Sequence, residues 1–343
     1  MGLHPASFYV HALRPRLSAG ALAPATSRLL WLPVHLGIII TATLAIAHHW
    51  LPRPTVPLLS LVIGASFAGL MFLGHELLHG GVMRGHKGLQ ELIGWLCFAP
   101  FTLSPKLWIA WHNRTHHAHT NQADIDPDMY PTLTRYHANS AARFSIDNFA
   151  IGGHRFRGAF SLLVGFVVQS KQQLLTGREQ NGMSRELHRA AWVETLLAVA
   201  LWAVVGVLVG PLAFLAVFVA PLVVADIIVM AYILTNHGLS PGTGVNDPLV
   251  NSMSVSGPGW LEWLTLGFGY HVEHHVFPGL SARHGGEIRE LIRETWPERY
   301  HTMGLLPALR EMHRTGRVYK DDTTLADPRT GGEWLALAPR DRV

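Results

Sequence analysis

The sequence predicts an all-α membrane protein: four transmembrane helices paired as two hairpins, with a cytosolic helical cap. Three observations carry this prediction. Hydrophobic residues make up 49% of the chain and charged residues only 15%, where a soluble chain carries about a quarter charged. Four segments each approach the roughly 20 apolar residues needed to cross a hydrocarbon core. Short proline-containing links join those segments in pairs, around Pro52–Pro54 and at Pro211.

Residues 1–28 lack the compact apolar core of a cleavable signal peptide and read as a cytosolic N-terminal segment. The spans follow at Leu29–Trp50, Val56–Gly74, Ala191–Gly210 and Leu212–Thr235. A fifth apolar stretch, Leu89–Leu103, is shorter and holds Pro100, so it reads as re-entrant or interfacial. Gly158–Gln169, flanked by Arg155, Arg157 and Lys171, reads as an interfacial amphipathic helix. Gly286–Trp296 and Leu305–Met312 have helical periodicity. The main domain is expected over residues 29–315. Residues 316–343 are expected to form a polar tail, turn-rich and poorly ordered from Tyr319 onward.

The net charge is +4 and the isoelectric point near 9.4. Of the 27 Lys and Arg residues, only Arg53 lies in a hairpin link. That bias places both termini and the long middle segment in the cytoplasm. It also explains the basic character through topology, without nucleic acid as a partner. Cys97 is the only cysteine, so neither an intrachain disulfide nor a multi-thiolate metal site is available.

Histidines form three clusters: His75 and His79 in HELLH, His112, His116 and His117 in HNRTHH, and His271, His274 and His275 in HVEHH. On an α-helix, the i, i+4 spacing puts His75 with His79 and His112 with His116, and leaves His117 about 100° further round. All three clusters fall on the cytoplasmic side. One HxxxH pair is commonplace, but three at one membrane depth point to joint metal binding. Eight imidazoles suit two ions and leave zinc, copper, nickel and iron open. His237 ends the fourth span at the depth of His79 and makes a ninth ligand. Ligating imidazoles need outer partners, for which Glu76, Glu273, Asp124, Asp126 and Asp128 are near in sequence; His119 is a further candidate. Asp226, inside the fourth span, must face the bundle interior. His48 and His49 read as interfacial, and His86, His137 and His154 as loop residues.

HELLH at 75–79, HNRTHH at 112–117 and HVEHH-Val-Phe-Pro-Gly at 271–279 resemble the membrane-bound fatty acid desaturase family. The resemblance covers roughly residues 30–315. It implies a non-haem centre of two Fe ions above a four-helix stalk, with the eight clustered histidines and His237 as ligands. The second cluster has three intervening residues where many relatives have two. The resemblance further implies O2 as co-substrate and a lipid acyl chain losing two hydrogens from adjacent methylenes. No haem or flavin segment is evident, so a separate electron donor of ferredoxin or cytochrome b5 type is expected at the basic face.

Other functions fit less well. A membrane hydroxylase or ketolase acting on an alkane or carotenoid would share the metal chemistry. A zinc protease with Glu76 as base would use HELLH alone and leave two clusters unexplained. A metal transporter would carry polar groups across the bilayer midplane, whereas these histidines collect at one end.

Overall fold

The computed structural model describes residues 2–154 and 156–337; Met1, Arg155 and residues 338–343 lie outside the described residues. The chain is predominantly helical. Among the described residues, four helices are long and apolar enough to cross a membrane: Thr26–Ala47, Arg53–Leu78, Arg185–Val209 and Pro211–His237. Each overlaps an expected span, but the second and third run further than the apolar windows. The second continues to Leu78 and carries His75 on its last turn. The third begins at a Ser184 N-cap, whose Oγ accepts the Leu187 N–H. Helical hydrogen bonding propagates past the point where hydropathy falls, so apolar windows underestimate these helices.

The second helix is the most enclosed of the four and packs against the first and fourth. Ile63, Phe67, Leu70, Leu73 and Leu77 are fully buried along it. At Gly64 a Cβ would fall 2.7 Å from the Pro221 carbonyl oxygen and closer still to Val224. Only glycine permits that approach of the second and fourth helices. The third helix keeps Val193, Leu196, Val204, Val207 and Leu208 exposed, an apolar surface suited to lipid.

Lys87–Phe101 does not continue straight. It bends by 96° into Pro105–His119 through Thr102, a non-glycine residue at φ 47°. Ser104 Oγ then caps the new helix on Leu107 N, and Pro105 occupies its first turn, where no N–H is needed. Lys106 and Ser104 both bind Glu194 of the third helix, fixing the second histidine cluster against the bundle.

The expected single helix over Gly158–Gln169 is instead two, Phe160–Leu163 and Gly165–Thr176, broken at Val164. The reason lies in the fourth span. Asp226 Oδ1 accepts the Phe166 N–H at 3.0 Å and caps the second piece from across the bundle.

Beyond the bundle, Ala6–Leu13 packs on the helices His271–Val276 and Gly285–Thr295 through Tyr9, Leu13, Val272, Ile288 and Ile292. Two short parallel strands pair Ser254–Ser256 with Thr302–Gly304. The expectation of a poorly ordered tail from Tyr319 is corrected. Val318–Asp321, Thr324–Asp327 and Gly332–Leu335 form an antiparallel sheet. Asp321 and Asp327 cap its turns by accepting the N–H of Thr323 and Arg329, and Val318 and Leu325 are buried beneath it.

Candidate metal centre

The nine histidines named from the sequence converge. His75, His79, His112, His117 and His274 each offer a ring nitrogen within 4.8 Å of the others, as do His116, His237 and His275. His271 joins the second group, with Nε2 2.6 Å from His237 Nε2 and 3.0 Å from His275 Nε2. The result is one group of five imidazoles beside one of four.

The second cluster departs from the α-helical expectation. Ile109–His116 is wound as a π-helix, and the His117 N–H donates to the His112 carbonyl. In that winding i+5 replaces i+4 as the facing neighbour. His112 therefore faces His117, with Nε2 atoms 3.2 Å apart, and His116 turns to the other group. In the third cluster His274 goes to the group of five, while His271 and His275 go to the group of four.

The donor set fits metal ions. Imidazole nitrogens bound about 2.0–2.1 Å from one ion lie roughly 2.9–3.4 Å from each other. His75–His112, His112–His117 and His117–His274 have Nε2 atoms 3.1, 3.2 and 3.1 Å apart. Burial holds His79, His112, His117, His271 and His275 well below the usual imidazole range, and neighbouring imidazoles reinforce it. They are thus neutral, as ligation requires.

His116 is the exception. Burial opposes its charge, but the Asp126 and Asp128 carboxylates prevail and push it up to about 9. Its Nδ1 donates to Asp126 Oδ1 at 3.0 Å, so that a metal displacing the Nε2 proton would find the ring held by that bond. Asp126 is itself held below the usual carboxylate range: burial would raise it, but His116 and the N–H groups of Asp128 and Asn121 outweigh that. His237 Nδ1 lies 3.2 Å from the Asn251 carbonyl and His275 Nδ1 3.3 Å from Thr120 Oγ1.

Of the three principal outer candidates, only Asp126 touches an imidazole. Glu76 pairs with Arg28. Glu273 binds Arg289, Tyr300 and Ser254. Both box glutamates are thus corrected from imidazole partners to carboxylates neutralised by arginines. Asp124 is exposed, 3.8 Å from Arg135, and His119 binds Gln122. Asn236 is buried beside His237, and its side-chain amide has no hydrogen-bonding partner among the described residues.

Several residues at the site were not singled out by sequence. Asn121, at φ 52°, donates its amide N–H to the carbonyls of His237, Pro241 and Asn251. Asn251 returns a bond to the Thr120 carbonyl at 2.9 Å. These two asparagines tie the turn after HNRTHH to the end of the fourth helix. Trp111 Nε1 and Gln169 Nε2 both donate to Asp128 Oδ1 at 2.7 Å. Burial pushes the Asp128 carboxyl up to about 6, Asp126 adding to this while His116 opposes it.

A pocket of about 30 Å3 lies against the histidines. Its lining joins His75, His112, His116, His237 and His271 with Met71, Phe72, Val229, Ile233 and Phe268. Trp108 stacks on His112 at 4.5 Å between ring centroids, and the Phe268 ring meets His75 at 4.9 Å.

Known proteins resemble this chain at the same level. An acyl-lipid (7-3)-desaturase from Diacronema lutheri is 24% identical over 317 residues, covering 83% of this chain and 66% of that protein. An sn-1 acyl-lipid omega-3 desaturase (ferredoxin) from Synechocystis sp. is 32% identical over 127 residues, 36% of this chain and 34% of that protein. A beta-carotene ketolase from Haematococcus lacustris is 26% identical over 96 residues, 24% of this chain and 30% of that protein. The chain thus spans at most 66% of the length of these relatives. Residues 48–307, which hold all nine histidines, match the family described as Fatty acid desaturase. This predominantly helical chain, with four described helices long and apolar enough to cross a membrane and a histidine cluster fit for metal, belongs to the fatty acid desaturase family.

Proposed function

We propose that this protein is an acyl desaturase that places a C=C bond in a lipid acyl chain. The carrying observation is the convergence of nine imidazoles, as five and four, with His75, His112, His116, His237 and His271 lining a pocket they share with apolar side chains. His75, His79, His112, His117 and His274 would hold one iron, and His116, His237, His271 and His275 the other. The irons supply the activation of dioxygen and the removal of hydrogen from unactivated methylenes.

The chain's own residues do the rest. Asp126 keeps a proton on His116 Nδ1, and the Asn251 carbonyl does the same for His237. Arg28 and Arg289 hold Glu76 and Glu273 away from the metals. Met71, Phe72, Val229 and Ile233 grip methylenes against the histidine face, and Trp108 and Phe268 exclude water from it. Such positioning in a dry pocket is what an unreactive substrate requires.

The charge distribution supports placing both termini and the histidine end on the cytoplasmic side, with the spans paired as hairpins whose links lie opposite. A separate ferredoxin or cytochrome b5-type donor would then dock on that face; the Synechocystis relative's name includes ferredoxin.

The ketolase relative favours a second reading, oxygen insertion into an alkane or carotenoid. Expression in a host with a compatible donor, followed by mass-spectrometric lipid profiling, separates the two. The desaturase reading expects acyl chains two hydrogens lighter. A new hydroxyl or keto group selects the second reading, and unchanged lipids contradict both.

A further inference from the structure

The Asp247 carboxylate is fully buried and gathers four donors. Oδ1 accepts the Tyr9 hydroxyl at 2.8 Å and the Leu249 N–H at 3.2 Å. Oδ2 accepts Arg299 Nη2 at 2.6 Å and the His4 N–H at 2.8 Å. Arg299, itself buried, also donates Nη1 to the Gly2 carbonyl at 3.1 Å. A carboxylate taken out of water needs such a full set of donors. This one draws Tyr9 and His4 from residues 2–13, far away in the chain.

The stretch that carries Asp247 also reaches the histidines. Asn246 Nδ2 donates to the His117 carbonyl at 2.6 Å, and its Oδ1 accepts Asn251 Nδ2 at 3.0 Å. The Asn251 carbonyl in turn lies 3.2 Å from His237 Nδ1. Residues 246–251 thus form an arch from Asp247 to His117 of the group of five and His237 of the group of four. A second connection runs through packing. Tyr9 and Leu13 share an apolar cluster with Val272 and Val276, on the helix that carries His271, His274 and His275. The Trp296 ring meets Tyr9 edge-on at 4.9 Å.

Both connections bear on how firmly the imidazoles are held. An ion leaves a site of several histidines as one ligand after another swings away. Such a swing by His117 or His237 strains the arch, and one by His271, His274 or His275 strains the helix His271–Val276. That helix has 6 residues, and a helix so short has little stability of its own. Residues 2–13 brace both elements, and the charge-assisted bonds at Asp247 fasten that brace.

We propose that residues 2–13 form a clasp on the metal centre, that Asp247 is the positioning residue that fastens it, and that the clasp slows metal release from both groups of histidines. This rests on the metal-centre reading and deepens it. A clasp that strengthens metal binding is, by linkage, steadied by metal in return. The test uses the full-length protein in nanodiscs, loaded anaerobically with ferrous iron, and follows iron release to a chromogenic chelator. Tyr9→Phe is expected to release iron several-fold faster, and Asp247→Asn about 10-fold faster or more. Val318→Ala, beneath the C-terminal sheet, controls for general loosening and is expected to keep the unaltered rate. In the unaltered protein, hydrogen exchange over residues 6–13 is expected to be slower with iron than without. If Asp247→Asn does not fold, Tyr9→Phe and the exchange measurement decide. An unaltered rate in Tyr9→Phe overturns the clasp, as does equal acceleration in Val318→Ala or exchange over residues 6–13 that ignores iron. Unaltered protein that takes up no iron contradicts the metal centre itself, so the two failures are told apart.

Discussion

His112 and His117 are five residues apart, yet their Nε2 atoms lie within 3.2 Å. The intervening turn is wound as a π-helix, which seats one more residue between facing side chains than an α-turn does. This gives a physical reason why a second histidine cluster with three intervening residues can serve where relatives carry two.

The winding makes an unusual prediction. Deleting the exposed Arg114 gives a two-residue spacing that an ordinary α-turn accommodates, with His117 now at i+4 from His112. Metal content per chain is expected to survive. Inserting one alanine after Arg114 moves His116 and His117 about 100° round the helix, and metal content is expected to fall. Metal analysis of both variants decides the matter; loss in the deletion variant would count against the winding argument.

The outer partners divide just as testably. Asp126→Asn removes the charged acceptor from His116 and is expected to weaken metal binding about 10- to 100-fold, read by competition with a chelator. Glu76→Gln removes the charge opposite Arg28 and touches no imidazole. It is expected to cost about 1–3 kcal/mol of stability with metal content retained. If Glu76→Gln strips the metal while Asp126→Asn does not, the assignment is reversed.

Much of this was legible in the sequence. Apolar runs and short proline links reveal four long helices, and histidine spacing, with the end of the fourth span for His237, points to the nine imidazoles that converge. The sorting into five and four was hidden, because it depends on the π-turn, and side-chain spacing assumes α geometry. The roles of Glu76 and Glu273 were hidden for another reason. Nearness in sequence to a histidine says nothing about which way a carboxylate turns, and Arg28 and Arg289 come from distant segments. Asn121 and Asn251 act through backbone carbonyls more than a hundred residues away, a relation that local pattern does not carry. The C-terminal sheet was masked by its charged turns, where Asp321 and Asp327 act as caps.

Gln169 lines both the inner pocket of about 30 Å3 and an outer cavity of about 790 Å3, and so offers a test of the partition between them. Gln169→Ala removes the donor to Asp128 Oδ1 and opens the inner pocket toward the outer one. Bound metal is expected to stay, while double-bond positions in the product spread, because the chain is no longer held at one register. Mass spectrometry of the products checks this; an unchanged single position would place register control elsewhere.

The most direct measurement is the metal content of the purified protein, with His79→Ala and His275→Ala as representatives of the two groups. The account predicts two iron ions per chain in the unaltered protein and fewer in each variant. One zinc ion per chain with no iron would contradict it.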